Sequence, residues 1–175
     1  MSAPSRAGRP RARAAAELDA KTVWAALEDV KDPEVPVLSV VELGMVRDVA
    51  VAAEGVRVDI TPTFAGCPAF VAIAEAVRER VSRLGAAAVE VRRVLSPAWS
   101  SDAITAAGRA KLHDFGLAPP AVHGGALLPA LEAPVPCPHC GSLDTQLRSA
   151  FGSALCREFY TCRSCQEAFE RFKPV

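Results

Sequence analysis

Two Cys-x-x-Cys pairs constrain this sequence more than any other feature. Cys137-Pro138-His139-Cys140 and Cys162-Arg163-Ser164-Cys165 are separated by the 21 residues 141–161. Two residues between cysteines let both thiolates reach one ion while the amides of the tight turn offset their charge. Two such knuckles supply the four sulfurs of a closed tetrahedral site. Zinc is the expected metal; an iron centre or a redox dithiol would draw on the same residue types. The first residues carry no apolar export segment, so a cytoplasmic setting with reduced thiols is expected rather than a disulfide framework.

The residues around the knuckles support a metal-dependent module. Phe151, Phe159, Tyr160, Phe169 and Phe172 are half of the ten aromatic residues of the 175-residue chain. So short a segment buries little surface, so metal ligation must supply much of its folding free energy. Residues 143–148, 157–161 and 168–172 read as short strands, which predicts a zinc β-ribbon over 137–175. His139 lies inside a knuckle whose four sulfurs already complete the site, so it is expected outside the ligand set. Cys156 falls in a turn between strands, either without a special role or as a thiol for metal transfer or partner contact. Residues 137–175 hold five Lys or Arg against four Asp or Glu and show no basic stripe, so nucleic-acid binding is not expected.

The remaining residues predict a small α/β unit over 17–116. Residues 1–16 carry Arg6, Arg9, Arg11 and Arg13 without an acid and read as a disordered tail. Ala20, Val23, Trp24, Leu27 and Val30 follow helical spacing behind Asp19, a candidate N-cap. Asp32-Pro33-Glu34-Val35-Pro36 must be a loop, because two prolines forbid regular helix. Residues 45–52 and 55–63 alternate as a hairpin around Ala53-Glu54-Gly55. Phe70, Ile73, Ala74, Val77, Val81 and Leu84 mark the next helix, with Pro68 in its first turn and Gly85 at its end. Residues 87–95 read as a third strand ending the sheet, and 102–115 as a helix capped by Ser101. Five prolines over 117–136 read as a linker. No apolar run is long enough to cross a membrane.

Cys67 stands apart from the other five cysteines. It is expected at the N-cap of the helix after the second strand, where free N–H groups and the helix dipole favour a thiolate and Gly66 leaves the approach open. That placement favours a functional thiol over a small buried hydrophobe. Asp32 and Glu34 are candidate neighbours that sequence alone cannot bring to it.

These motifs carry a resemblance. Asp32-Pro33-Glu34-Val35-Pro36, Glu42-Leu43-Gly44-Met45-Val46 and Thr61-Pro62-Thr63 leading to Gly66-Cys67-Pro68 resemble the small αβ domain of SufT-like iron–sulfur assembly factors. With Pro97-Ala98-Trp99, Gly116-Leu117-Ala118-Pro119-Pro120, Phe151-Gly152-Ser153 and the ribbon, the chain after its tail is similar to the D-subunit family of ring 1,2-phenylacetyl-CoA epoxidase systems. The resemblance implies an α+β fold with a C-terminal zinc β-ribbon. It also implies an accessory protein, not an enzyme, that helps mature an iron–sulfur cluster or metal centre during phenylacetate catabolism. Its implied partners are the oxygenase and reductase subunits of the system. Carried over by motif, Cys67 would handle the cluster or metal with Asp32 and Glu34 beside it, and Cys137, Cys140, Cys162 and Cys165 would hold the ribbon zinc. One thiolate per chain is too few for a transient cluster, so a homodimer or a site shared with the client is expected. A structural or regulatory component that docks through its ribbon is the alternative.

The residues fit an accessory role. Neither a phosphate-binding loop nor a dinucleotide fingerprint occurs, and His113, His123 and His139 are scattered over a helix end, the linker and a knuckle. Twenty basic and twenty acidic residues cancel, and since the tail is wholly basic, the rest of the chain is mildly acidic. That balance suits protein clients better than nucleic acid.

Overall fold

The computed structural model describes residues 18–175, so the basic tail expected over 1–16 lies outside the described residues. Helix α1 (Ala20–Leu27) starts where Asp19 accepts from the Thr22 N–H at 2.7 Å, and it buries Val23, Ala26 and Leu27. The proline loop that follows is closed by a bridge between Lys31 and Ser39 and by Asp32 N–H donating to the Leu38 carbonyl at 3.0 Å. Gly44 ends the next stretch at φ +66°, and a Cβ there would lie 2.3 Å from the Ala103 carbonyl oxygen. Only glycine meets both demands.

A three-stranded sheet follows, with β1 (Val46–Ala52), β2 (Gly55–Ile60) and β3 (Val89–Arg93) side by side in that order. β1 and β2 form an antiparallel hairpin closed by the pair Ala52 and Gly55. Helix α2 (Phe70–Ser82) buries Phe70, Ile73, Ala74, Val77 and Val81, which lie at the spacing of one helical face. It carries the chain across to β3, which pairs parallel with β2. The loop that holds Cys67 therefore joins the end of β2 to the start of α2.

The helix expected over 102–115 is two elements. Ser100 caps a 3₁₀ turn (Ser101–Ala103), its hydroxyl accepting from Asp102 N–H at 3.2 Å. Thr105 caps α3 (Ala106–Asp114), accepting from Gly108 N–H at 3.0 Å. Each hydroxyl draws the backbone to itself, so Ser101 caps neither element and one helix is interrupted.

The proline-rich stretch, expected to be a linker, contains regular structure. β4 (Leu117–Ala118) pairs parallel with the last strand, β7 (Ala168–Phe172), and α4 (Leu127–Glu132) lies farther along. Apolar Leu117 and Ala118 are both buried, which their position between Gly116 and two prolines did not signal. The ribbon strands β5 (Thr145–Ser149), β6 (Arg157–Cys162) and β7 complete a second sheet in the order β4-β7-β6-β5. The fold is α+β, as expected.

Two buried clusters result. The larger contains α1, α2 and hairpin residues and also takes in Trp99, Leu117 and Phe172. Phe172 is fully buried and sits 6.0 Å from Trp99 between ring centroids, while the Trp99 indole donates to the Leu43 carbonyl at 2.8 Å. The ribbon is therefore seated on the α/β unit through its last strand. Its own cluster is small: Ala118, Val135, Cys137, Tyr160, Cys162 and Phe169. Two of those six are knuckle cysteines.

Candidate metal centre and thiol site

The two knuckles meet. Cys137 and Cys165 sulfurs are 3.7 Å apart, Cys140 and Cys162 sulfurs 3.6 Å apart, and all four lie within 4.8 Å of one another. A tetrahedron with zinc–sulfur bonds of about 2.3 Å requires sulfurs about 3.8 Å apart, so the donors fit one zinc ion. Each knuckle is a turn that points N–H groups at its sulfurs. Cys137 accepts Gly141 N–H at its carbonyl at 2.8 Å. The main-chain N–H of Cys165, helped against burial by that of Ser164, draws the Cys162 thiol down to about 7. His139 is exposed and outside the sulfur cluster.

Cys67 lies in a second, different setting. It precedes α2 by three residues, its carbonyl accepting Phe70 N–H at 3.3 Å, and Ala69 rather than Cys67 occupies the N-cap. Its thiol receives the Ala69 N–H and the Thr63 hydroxyl, both of which favour thiolate. Burial outweighs them, and the negative charges of Asp32 and Glu34 add to it, so the thiol is pushed above its ordinary value. The helix terminus alone predicts the opposite shift. Cys67 is 8% exposed while Gly66 beside it is open to solvent.

Asp32 and Glu34 act from one loop. Asp32 is buried, and its Oδ1 accepts from Glu34 N–H at 2.8 Å and Val35 N–H at 2.9 Å, which shapes the loop. Burial nevertheless raises its carboxyl. The loop is also tied to the ribbon, because Arg157 donates from Nη2 to the Glu34 carbonyl. Arg157 is itself held by Glu170 at 2.9 Å and by Ser153 at 3.0 Å.

Other groups converge that sequence reading did not bring together. Ser100 Oγ lies 3.2 Å from His123 Nε2, and His123 Nδ1 lies 3.6 Å from Asp102 Oδ2. This is no nucleophile: His123 Nε2 and Ser100 Oγ both meet the Val175 carbonyl at 3.0 Å, and Nδ1 accepts from Gly125 N–H at 3.1 Å. With Nε2 donating and Nδ1 accepting, the ring can neither take the Ser100 proton nor donate to Asp102. The three residues clasp the end of the ribbon. Glu42 is a second unforeseen group, buried and accepting from Ser39 N–H at 2.9 Å and from Lys111.

Comparison with known proteins agrees with this geometry. The family described as "Iron-sulfur cluster assembly protein" matches residues 20–92, and the "PaaD zinc beta ribbon domain" matches residues 126–173. A domain from Bacillus anthracis, solved as "Domain of Unknown Function DUF59", aligns at TM-score 0.50 with 29% identity, covering 53% of this chain and 89% of that one. A "Fe-S protein maturation auxiliary factor" of Porphyromonas gingivalis is 40% identical over 78 residues, 43% of this chain and 73% of the relative. A protein of Escherichia coli named as the D subunit of 1,2-phenylacetyl-CoA epoxidase is 43% identical over 153 residues, 87% of this chain and 92% of the relative. An iron–sulfur assembly unit and a zinc ribbon, in that order and at that identity over nearly the whole length, place this chain in the family of 1,2-phenylacetyl-CoA epoxidase D subunits.

Proposed function

We propose that the chain is an accessory protein of a 1,2-phenylacetyl-CoA epoxidase system that helps mature the iron–sulfur cluster or metal centre of its oxygenase and reductase partners. The observation that carries this reading is the setting of Cys67: a thiol beside an open glycine, facing the Asp32 and Glu34 loop. Iron or a cluster is the cargo of this site. A thiol held protonated until a thiophilic metal displaces its proton can take up cargo and give it back, whereas a closed four-sulfur site retains its ion. Cys137, Cys140, Cys162 and Cys165 hold a resident zinc that keeps the ribbon folded. Asp32 and Glu34 are the loop companions of Cys67, and the role read for them is assistance to a client rather than catalysis. The setting is the cytoplasm, and the described residues contain no helix long and apolar enough to cross a membrane.

The test is co-expression of the partner subunits with Cys67→Ser. Iron and sulfide per client should fall several-fold relative to the unsubstituted protein while the variant keeps its zinc. Full client occupancy with Cys67→Ser overturns the proposal.

A further inference from the structure

We propose that the seam between the ribbon and the α/β unit is the docking surface for the client. A pocket there takes one aromatic or large aliphatic side chain of an oxygenase or reductase subunit, and an Asp or Glu of the same client segment meets Lys173 at its rim. This rests on the accessory role proposed above and deepens it by naming where the partner sits and the chemistry of the segment that fits.

The pocket is a cavity of about 210 Å³ whose wall includes Thr63, Phe64 and Trp99 from the α/β unit and Leu155, Phe172 and Lys173 from the ribbon. Two of its walls are fixed, since Trp99 and Phe172 are buried with ring centroids 6.0 Å apart. Cavities that hold cofactors or drug-sized ligands run from about 300 Å³ upward, so this one has room for a single large side chain. Phe64 belongs to the turn that carries the thiol: its carbonyl accepts the Cys67 N–H at 3.1 Å, and Gly66 in that turn is open to solvent. A side chain anchored against Phe64 therefore holds its own protein beside the Cys67 turn.

The rim is apolar, exposed and held in place. Leu155 is 55% exposed and Phe151 is 71% exposed. Phe151 is not a frayed residue: its N–H donates to the Ser149 hydroxyl at 3.1 Å, and that hydroxyl donates to the Phe151 carbonyl at 2.8 Å. Ser153 pins the far side of the same turn by donating from Oγ to Glu170 at 2.8 Å. Exposed apolar side chains grouped in this way mark interaction surfaces, and aromatic residues are the ones that anchor them. Lys173 joins the two rim residues: its Nζ donates to the Leu155 carbonyl at 2.9 Å and lies 5.1 Å from the Phe151 ring centre. Among the described residues no carboxylate oxygen lies within 4.0 Å of that ammonium, so the cation is left for an acidic group from outside. The same charge disfavours the chain's own tail as occupant, because Arg6, Arg9, Arg11 and Arg13 would bring like charge to Lys173.

The experiment uses the full chain with zinc in its ribbon and the purified oxygenase and reductase subunits as probes. Affinity is measured for the unsubstituted chain, Phe151→Ser, Leu155→Asp and Lys173→Glu, with unchanged zinc content and melting showing that each variant is folded. Each substitution should weaken binding about 10-fold, the loss expected of an interface anchor. In a second arm, Leu155→p-benzoylphenylalanine is irradiated in the mixture and its adduct mapped by mass spectrometry. The adduct should fall on a client segment where an aromatic or large aliphatic residue neighbours Asp or Glu, and exchanging that acid for Lys should restore binding to Lys173→Glu. An adduct on residues 1–17 of the chain, on a second copy or on nothing overturns the proposal, as do unchanged affinities or the absence of a complex with either subunit. Client iron and sulfide separate this surface from the reading of Cys67. If Cys67→Ser lowers them while the rim variants bind normally, that reading stands and the docking surface falls. If the rim variants lose binding and Cys67→Ser leaves client occupancy full, the surface stands and that reading falls.

Discussion

Arg157 donates from Nη2 to the main-chain carbonyl of Glu34, 123 residues earlier in the chain. One guanidinium thus joins the central strand of the ribbon, β6, to the loop that faces Cys67, while its other amino group holds Glu170. It adds a third tie between the ribbon and the α/β unit to the Trp99–Phe172 contact and the clasp on Val175.

Removing that tie should loosen the seam. Arg157→Ala leaves the Glu170 carboxylate, 19% exposed, without its partner. Breaking such a pair from one side costs about 3–5 kcal/mol when it is fully buried and less at partial exposure. The expected outcome in urea unfolding is a lower midpoint. In native protein probed by alkylation and mass spectrometry, Cys67 and Cys156 should react faster than in the unsubstituted chain. Unchanged reactivity of both thiols would show that Arg157 does not hold the seam.

Metal removal should act on the ribbon first. The ribbon's own core is six residues, two of them ligands, and zinc binding in comparable small modules supplies on the order of 10–16 kcal/mol. Chelation, or Cys162→Ser, should release zinc and abolish the near-ultraviolet signal of Tyr160, which stacks on Phe169 at 5.6 Å. The helical signal of α1 and α2 should persist, since their core is built mainly from the α/β unit.

Acid should destabilise the protein through Glu42. Burial opposes ionisation there, but the Lys111 hydrogen bond and the Ser39 N–H prevail and hold the carboxyl below its ordinary value of 4.5. A depressed carboxyl contributes stability above the unfolded value, and that contribution is lost as pH falls below about 4.5 through the folded value. Glu170 behaves in the same direction, whereas the raised Asp32 acts oppositely. Glu42→Gln should reduce stability at pH 7 and flatten its decline between about pH 5 and 3, measured by urea unfolding across that range.

Gly44→Ala should be costly. The backbone is in the left-handed region, and the added Cβ would overlap the Ala103 carbonyl at 2.3 Å. A destabilisation of about 2–4 kcal/mol is expected, from backbone strain and the displaced 3₁₀ turn together, read as a drop in thermal midpoint.

Local patterns carried much of the fold. The knuckle spacing, the hairpin around Ala53 and Glu54, and the apolar face of α2 are set by neighbours a few residues apart, so they were legible before any fold was known. The split between the 3₁₀ turn and α3 was not, because Ser100, Ser101 and Thr105 are all competent caps and only packing against Glu42 and Gly44 selects among them. Leu117 and Ala118 became a strand because β7 offered them an edge.

The sequence by itself determined the ribbon and its four metal-binding cysteines, since two Cys-x-x-Cys turns need only each other and an ion. It also determined that Cys67 precedes a helix. Only the tertiary structure decided the state of that thiol: burial and two carboxylates outweigh the helix terminus, which a linear reading makes dominant. The tertiary structure also brought Cys156, Arg157, Glu34 and the Ser100, Asp102 and His123 clasp into place. These contacts join residues far apart in the chain, and their energies come from burial and charge in a shared interior, which no local spacing encodes.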